Sequence, residues 1–309
     1  MLLKSADDKS PRVQMLEGLT RQSTLSLAQR KWVRDELMRL RKGMQGEREA
    51  AHYLDSYFKD GVNHVLLHDL RFVVDGETAQ VDHMVINRLG MVFLVETKNY
   101  AGNLLINDYG EFTVEYDEER FGIPSPIEQS QRHERILVKL MQRLELSGRL
   151  GELQFHHVVL LHPKATIQRP AAKVFDTSMV IKADQFPTWH QTFAEKKIGF
   201  GTLLKGMVNM RSLETIKEWG EKLVRQHRPA DLTSLPDFIQ SAGAQSTSEK
   251  PSAASPSASK EPDQAHPLAK KLICVTCGTK ISYSEGKFCW NNSKRFGGLQ
   301  YCREHQAAL

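Results

Sequence analysis

The first 273 residues of this 309-residue chain contain no cysteine, and its four cysteines all fall within the last 36 residues. A secreted protein held together by disulfides would distribute its cysteines through the folded region, so this distribution argues against a disulfide scaffold. The cysteine cluster opens with Cys274 and Cys277, which are separated by two residues. That spacing is typical of a metal site in a reducing compartment.

Long hydrophobic runs are also missing from the sequence. The unbroken apolar stretches are short, such as Met91 to Val95, whereas a membrane-spanning helix needs about 20 apolar residues. The N-terminus lacks the apolar core of a signal peptide, because Lys4, Asp7 and Asp8 follow closely on the first residue. We therefore expect a cytoplasmic protein with no membrane partner. The net charge of +5 permits a nucleic-acid partner but does not require one.

One segment lacks large apolar residues altogether. In residues 241–267, 17 of 27 residues are Ser, Ala or Pro. Such a segment cannot bury enough surface to offset the entropy lost on ordering, so the composition predicts a disordered linker. The linker separates a large N-terminal body from a small C-terminal module at residues 268–309.

Two helices are predicted at the start of the body. Apolar residues recur with helical spacing within residues 16–42, so we assign residues 1–42 to a basic helical extension. Its basic residues form either a solvated helix face or a phosphate-binding face. A second helix of about 15 residues is expected to open at Gly43–Glu47. This helix would place Glu47 on its core-facing stripe, where a buried charge needs a partner or a metal.

The rest of the body predicts an α/β fold with the order α-β-β-β-α-β. A helix is expected to start at Ser125, with Ser125, Pro126 and Glu128 forming a capping box. The loop Arg88-Leu89-Gly90 predicts a hairpin. The predicted strands are 65–74, 80–87, 91–99, 155–161 and 179–182, and the last helix is 203–227.

The hairpin carries the candidate chemistry. If Asn87 pairs with Met91, then Asp82 lies opposite Glu96, and Lys98 shares the face of Glu96. Directly opposed residues have Cβ atoms about 5 Å apart, so the two carboxylates would repel each other unless a cation sat between them. This arrangement suits Mg²⁺ or Mn²⁺, although a structural salt bridge of Lys98 with either carboxylate explains it as well. The opposite face of the hairpin is expected to be filled by Val81, Val85, Phe93 and Val95.

Several motifs occur together in one order along the chain. They are G-x-x-G-E at residues 43–47, Q-x-D-H at 80–83, G-x-x-F-L-V-E-x-K-N-Y-x-G at 90–102 and S-P-I-x-Q at 125–129. Together they resemble the nuclease-related (NERD) domain family of the PD-(D/E)XK nuclease-like superfamily. The resemblance covers residues 43–160, within a domain that we place at 43–235. It implies a PD-(D/E)XK-like core, in which a mixed sheet is flanked by helices.

The resemblance also implies a role for individual residues. Asp82 and Glu96 would be the Mg²⁺ ligands, and Lys98 the catalytic lysine. Glu47 would be an additional acid from the first helix, and Gln129 a polar group facing the site. The residue before Asp82 is a valine rather than the proline of the superfamily name.

The C-terminal module offers five candidate zinc ligands, of which a closed structural site takes four. Cys274, Cys277 and Cys302 are the strongest candidates, while Cys289 and His305 compete for the fourth place. The module resembles the topoisomerase-type zinc ribbon, although the spacing in its second half differs. From residue 264 to the end it carries seven Lys or Arg and two Glu. Its aromatic residues either stack on bases or form the small core of the module.

The sequence therefore predicts a cytoplasmic, metal-dependent nuclease-like protein that acts on nucleic acid, with DNA favoured and a zinc ribbon assisting binding. Two other functions stay open. One is a nucleic-acid-binding protein that keeps the nuclease fold without catalysis. The other is a structural domain with a zinc- or redox-sensing tail.

Overall fold

The computed structural model describes residues 1–117, 119–146, 153–197, 210–240, 273–277, 279–296 and 299–307. The chain divides into two compact units, Met1–Ser248 and Glu249–Leu309. The predicted linker at 241–267 lies outside the described residues. No helix in the described ranges is both long enough and apolar enough to cross a membrane.

The first unit contains ten strands and six α-helices within its described residues. The strands are β1 (Leu2–Lys4), β2 (His64–Val74), β3 (Glu77–Asn87), β4 (Met91–Lys98), β5 (Asn103–Ile106), β6 (Phe112–Tyr116), β7 (Glu119–Ile123), β8 (Gln154–Leu161), β9 (Thr166–Gln168) and β10 (Val180–Lys182). The helices are α1 (Ser10–Thr20), α2 (Leu27–Phe58), α3 (Pro126–Arg143), α4 (Phe186–Lys197), α5 (Leu213–Gln226) and α6 (Asp237–Gln240), with a short 3₁₀ turn at Ala183–Gln185.

A six-stranded mixed sheet forms the centre of this unit, in the order β1-β2-β3-β4-β8-β10. The three strands β2, β3 and β4 form an antiparallel meander, whereas β4 and β8 run parallel. Helices α3 and α5 pack on one face and α2 and α4 on the other. The expected mixed α/β architecture is therefore confirmed.

The predicted hairpin register is confirmed, but one residue lies on the other face of the sheet from the one predicted. His83 pairs with Val95 and Val85 with Phe93, as the register requires. The exception is Val81, which packs in the core under α3 and not with Val85 under α2. The strand changes face beside Asp82, where the neighbouring strand β2 carries Asp69 with a positive φ of 51°. The positive φ of Asp69 interrupts the alternation of side chains in β2, and the paired strand β3 shows the same interruption, since Val81 and Met84 lie on one face.

Helix α2 corrects the predicted helix boundaries. It runs without a break from Leu27 to Phe58, so the predicted helix start at Gly43 is wrong. Ser26 caps it in a capping box with Gln29, while the predicted helix over 16–42 is split between α1 and α2. A glycine inside a helix costs about 1 kcal/mol, and tertiary contacts override that cost here.

A second sheet was missing from the predicted order. Its four strands lie in the order β7-β6-β5-β9; β5, β6 and β7 follow β4 along the chain, and β9 follows β8. The strands are only three to five residues long. Their buried side chains pack against Leu161 and Val180 of the large sheet, a contact that no local pattern encodes.

The two predicted helices after β4 are confirmed in different degrees. Helix α3 starts as predicted, and of the predicted capping box the structure shows one half, the hydrogen bond from the backbone N–H of Glu128 to the Ser125 hydroxyl. The last helix, predicted at 203–227, is shorter because Ser212 caps it and it begins at Leu213. Residues 203–209 of that prediction lie outside the described residues.

The described residues of the second unit are largely helical. They form α7 (Tyr283–Asn291), α8 (Ser293–Phe296) and α9 (Arg303–Ala307), and an isolated β-bridge joins Ile273 to Lys280. A zinc ribbon is built from paired strands, so the predicted ribbon is not confirmed by these residues.

Candidate active site and metal centre

Three of the predicted site residues form a closed hydrogen-bonded triangle between β4 and α3. The Glu96 side chain is buried, and its Oε1 accepts from Lys98 Nζ at 2.7 Å and from Gln129 Nε2 at 2.8 Å. Lys98 Nζ also donates to Gln129 Oε1 at 3.1 Å. The triangle forms because Glu96 and Lys98 alternate onto the same face of β4, and Gln129 lies in the first turn of the helix that packs there.

Asp82 lies next to this triangle, at the face change of β3. Its Oδ2 accepts a hydrogen bond from the backbone N–H of Thr97 at 2.8 Å. Burial raises the pKa of Asp82 well above its usual value, and the nearby charges of Glu96 and Glu47 raise it further. Asp82 has no ion-pair partner within the described part of the chain.

The pKa of Glu96 is also raised. Burial is the largest cause, and it outweighs the stabilisation of the carboxylate by Lys98 and Gln129. The salt bridge of Lys98 with Glu96, the alternative explanation of this pattern, is present at 2.7 Å. When both are ionised, Asp82 and Glu96 carry two negative charges against the one positive charge of Lys98, and a bound cation would offset the difference.

Glu47 reaches the same region from α2 but is bound by a lysine. Its Oε2 lies 2.6 Å from Lys9 Nζ, which also contacts Asp69 Oδ2 at 3.2 Å. Burial disfavours the charge of Lys9, yet the two carboxylates raise its pKa overall. Sequence reasoning missed Lys9 and Asp69, since neither belongs to a motif or to a periodic pattern near the site.

A chain of polar contacts connects the other face of the sheet to this site. His83 Nδ1 lies 2.7 Å from His68 Nδ1, and His83 Nε2 lies 3.1 Å from Thr97 Oγ1. Burial keeps the pKa of His83 well below its usual value, so this histidine is neutral. His83 therefore contacts Thr97, the residue whose backbone N–H binds Asp82.

His133 is a further residue near the site that sequence reasoning missed. It follows Gln129 by four residues on α3, so the two side chains lie on one helix face. Burial lowers the pKa of His133, and the positive charges of Arg132 and Lys98 lower it further. The four-residue spacing from Gln129 was the available signal.

A small cleft opens at the end of β4, where Lys98 forms part of the wall. The parallel strands β4 and β8 both end here, and α2 closes the other side. Other residues lining the cleft include Gly46, Glu49, Thr97, Asn99 and His162. In open α/β sheets, ligands bind outside the carboxyl ends of parallel strands, and this cleft has that position.

The part of the chain that contains this site is similar to a known protein family. Residues 42–162 match the nuclease-related domain family, NERD. The match extends from the middle of α2 to the end of β8. It includes the five residues predicted for the nuclease-like site, which are Glu47, Asp82, Glu96, Lys98 and Gln129. No curated protein and no solved structure matches the chain. The NERD match supports a nuclease-related function and leaves residues 1–41 and 163–309 uncovered.

A cysteine and histidine cluster lies in the second unit, beyond the NERD match. The ligand atoms of Cys274, Cys277, Cys302 and His305 all lie within 4.8 Å of one another. The sulfurs of Cys277 and Cys302 are 3.9 Å apart, and His305 Nδ1 is 3.1 Å from the Cys302 sulfur. Tetrahedral zinc with bonds of about 2.3 Å to sulfur places two sulfurs about 3.8 Å apart, so these atoms fit zinc.

The structure favours His305 over Cys289 as the fourth ligand. Cys289 is buried in α7, and its sulfur accepts hydrogen bonds from the Tyr301 backbone and from Gln306 Nε2, both at 3.3 Å. Cys289 does not belong to the described group of four residues whose ligand atoms lie within 4.8 Å of one another, whereas His305 does.

The environment of Cys274 suits a metal thiolate. Burial opposes ionisation of this thiol, but hydrogen bonds from the backbones of Cys302, Cys277 and Thr276 lower its pKa to about 6. A thiolate is the form of cysteine that binds metal.

Proposed function

We propose that the first unit is a metal-dependent nuclease that hydrolyses phosphodiester bonds of nucleic acid, with DNA as the favoured substrate. The observation that carries the proposal is the pair of carboxylates Asp82 and Glu96, on adjacent strands and beside the ammonium group of Lys98. Both carboxylates have a raised pKa. The NERD match supports a nuclease-related function for the region that contains these residues.

The donor set fits a hard divalent cation. Mg²⁺ is commonly held by one or two carboxylates and keeps several water ligands, and Asp82 and Glu96 supply two carboxylates. Mn²⁺ accepts the same oxygen donors. Glu47 would add a third carboxylate once it is released from Lys9. When bound, such an ion polarises a phosphodiester and lowers the pKa of a water ligand.

The protein's own groups have distinct roles in this proposal. Opposing charges outweigh the burial of Lys98 and raise its pKa, so its ammonium group stays protonated at neutral pH. Held by Glu96 and Gln129, and with 21% of its side chain exposed, Lys98 can stabilise the negative charge that develops on the phosphate. Gln129 fixes the orientation of both charged groups, and this preorganisation lowers the cost of reaching the transition state.

The direct test is incubation of the purified full chain with labelled single- and double-stranded DNA and RNA, in Mg²⁺, Mn²⁺ or EDTA. We expect metal-dependent cleavage that Asp82→Asn and Glu96→Gln abolish. Glu77→Gln is the matched control, because Glu77 lies on the same strand as Asp82 but is exposed and pairs with Lys139. Unchanged cleavage by Asp82→Asn would contradict the proposal.

A second function is favoured by one observation, the ion pair between Lys9 and Glu47. If this pair persists with substrate present, the site lacks its third carboxylate, and the unit would bind nucleic acid without cleaving it. Binding without cleavage in any metal, by wild type and Asp82→Asn alike, would identify this case.

For the second unit we propose a zinc site that assists nucleic-acid binding. The Cys₃His cluster supplies the ligands, and the net positive charge of the segment supplies attraction to phosphates. Zinc analysis of the purified chain should give one zinc per chain, and His305→Ala should remove it. Full zinc content in His305→Ala would contradict the ligand set.

A further inference from the structure

We propose that the exposed face of α2 binds the phosphate backbone of nucleic acid and guides it to the candidate active site. This inference rests on the proposed function. The face, here called the α2 stripe, consists of Lys31, Arg34, Met38, Lys42, Gln45 and Arg48. These residues are all exposed, and their spacing of three or four places them on one side of the helix.

The stripe contains four basic residues of α2, and none of them forms an ion pair within the described residues. Lys31, Arg34 and Arg48 have no ion-pair partner within the described residues, and Lys42 contacts the ring and hydroxyl of Tyr116. Other basic residues of the helix are engaged internally. Arg39 pairs with Glu36, Arg41 pairs with Glu17, and Arg30 donates to the carbonyls of Ser23 and Leu25.

Acidic groups are few along this face. Asp35 lies at its flank and is half-buried, and Glu49 lies near the end closest to the site. Glu49 is engaged with His162 at 3.6 Å and with Gln45 Nε2 at 2.8 Å. The stripe therefore presents a net positive surface.

The geometry connects the stripe to the active site. From Lys31 to Arg48 the helix rises by about 26 Å at 1.5 Å per residue. Consecutive phosphates along one strand of duplex DNA advance by about 3.4 Å, so the stripe spans several of them. The Lys42 carbonyl accepts a hydrogen bond from Asn99 Nδ2 at 2.6 Å, and Asn99 directly follows Lys98. A strand that follows the stripe thus passes the end of β4.

The charge pattern favours nucleic acid over an anionic membrane. A helix that lies on a membrane inserts its apolar face among the lipids. The apolar face of α2 is buried in the first unit, through Val33 and Leu37 at one end and Leu54 and Phe58 at the other. The exposed residues of the stripe are basic or polar, with Met38 as its one large apolar side chain, while Leu27, also exposed, lies at the first position of the helix. Phosphate contacts need no insertion, so the stripe suits a nucleic-acid backbone.

The test removes three unpaired charges and compares them with three engaged ones. The test variant is Lys31→Gln, Arg34→Gln and Arg48→Gln in the full chain. The control variant is Arg30→Gln, Arg39→Gln and Arg41→Gln, which removes the same charge from the same helix. Binding to a labelled oligonucleotide is measured in EDTA over a range of salt concentrations, with thermal melting to verify folding.

We expect the test variant to lose affinity by on the order of tenfold at low salt, with a salt slope smaller by about two to three units, and the control to retain more of both. Equal losses in the two variants, or no loss in the test variant, would overturn the inference about the stripe. If wild type still binds the oligonucleotide, the proposed function is unaffected by that result. If wild type binds no oligonucleotide, both fail together. Loss of binding to phosphatidylserine vesicles, with oligonucleotide binding unchanged, would assign the stripe to a membrane and also overturn the inference.

Discussion

Gly43 and Gly46 lie in the same stretch of α2, and the same substitution at each should have opposite effects. A Cβ added at Gly46 would lie 2.5 Å from the Cβ of Asn99, whereas one added at Gly43 has its nearest neighbour, Glu47 Oε1, at 3.9 Å. The Asn99 Cβ is fixed to the backbone, so Gly46→Ala forces α2 and β4 apart. Gly43→Ala requires no movement.

The difference between the two variants isolates this contact. Both substitutions gain helix propensity, about 0.8–1 kcal/mol each, and this gain cancels in the comparison. Overpacking costs about 1–3 kcal/mol, so the free energy of unfolding of Gly46→Ala should be lower than that of Gly43→Ala by this amount. For a unit of this size, each kcal/mol lowers the melting temperature by about 2–4 °C.

Urea and thermal unfolding of both variants would measure this difference, and a cleavage assay would add its consequence for the site. Because Asn99 directly follows Lys98, separation of the two elements should lower cleavage by Gly46→Ala, since a displacement of about 1 Å can cost about 100-fold in rate. Equal stability of the two variants, or equal gains over wild type, would refute the reasoning.

Four further predictions follow from the structure. Burial lowers the pKa of His190 to about 4, so on acidification His190 is protonated in the unfolded chain before it is protonated in the folded chain. The free energy of unfolding should therefore fall by up to about 3 kcal/mol between pH 6.5 and 4. Urea unfolding of His190→Gln over the same pH range should lack this decrease. Cys289→Ala should keep its zinc in a metal assay while His305→Ala loses it, and the reverse result would restore Cys289 as ligand. Lys9→Met should free the carboxylates it binds, so Mg²⁺ should raise the melting temperature more than in wild type; an equal rise would show that Lys9 does not compete with the ion. A chain ending at Gln240 should still cleave at saturating substrate but bind with a smaller salt slope, and an unchanged slope would exclude the second unit from binding.

The hairpin shows how much local pattern can predict. Alternating apolar residues and the loop ending in Gly90 were sufficient for the register of β3 and β4. With the register known, the shared face of Glu96 and Lys98 follows from the two-residue repeat of a strand. The motifs around them also identified Gln129, because a family resemblance carries information about contacts between distant segments.

Other features of the site required the tertiary structure. The glycines at 43 and 46 suggested a helix start, but a glycine is needed at 46 because Asn99 packs too closely there to leave room for a Cβ atom. The pairing of Glu47 with Lys9 joins residues 38 positions apart, and no periodicity marks Lys9. The small second sheet was likewise invisible to local pattern, since its buried face is completed by side chains of the large sheet.

By itself, the sequence determined the pairing of β3 with β4, the two carboxylates with their lysine, and five candidate zinc ligands, because these depend on local spacing or on a motif. Only the tertiary structure decided which of the two competing candidates lies close to Cys274, Cys277 and Cys302, that a lysine binds the third acid, and which basic residues of α2 have no ion-pair partner within the described residues. Each of these depends on which distant side chains the fold brings within hydrogen-bonding distance. Spacing along the chain does not contain that information.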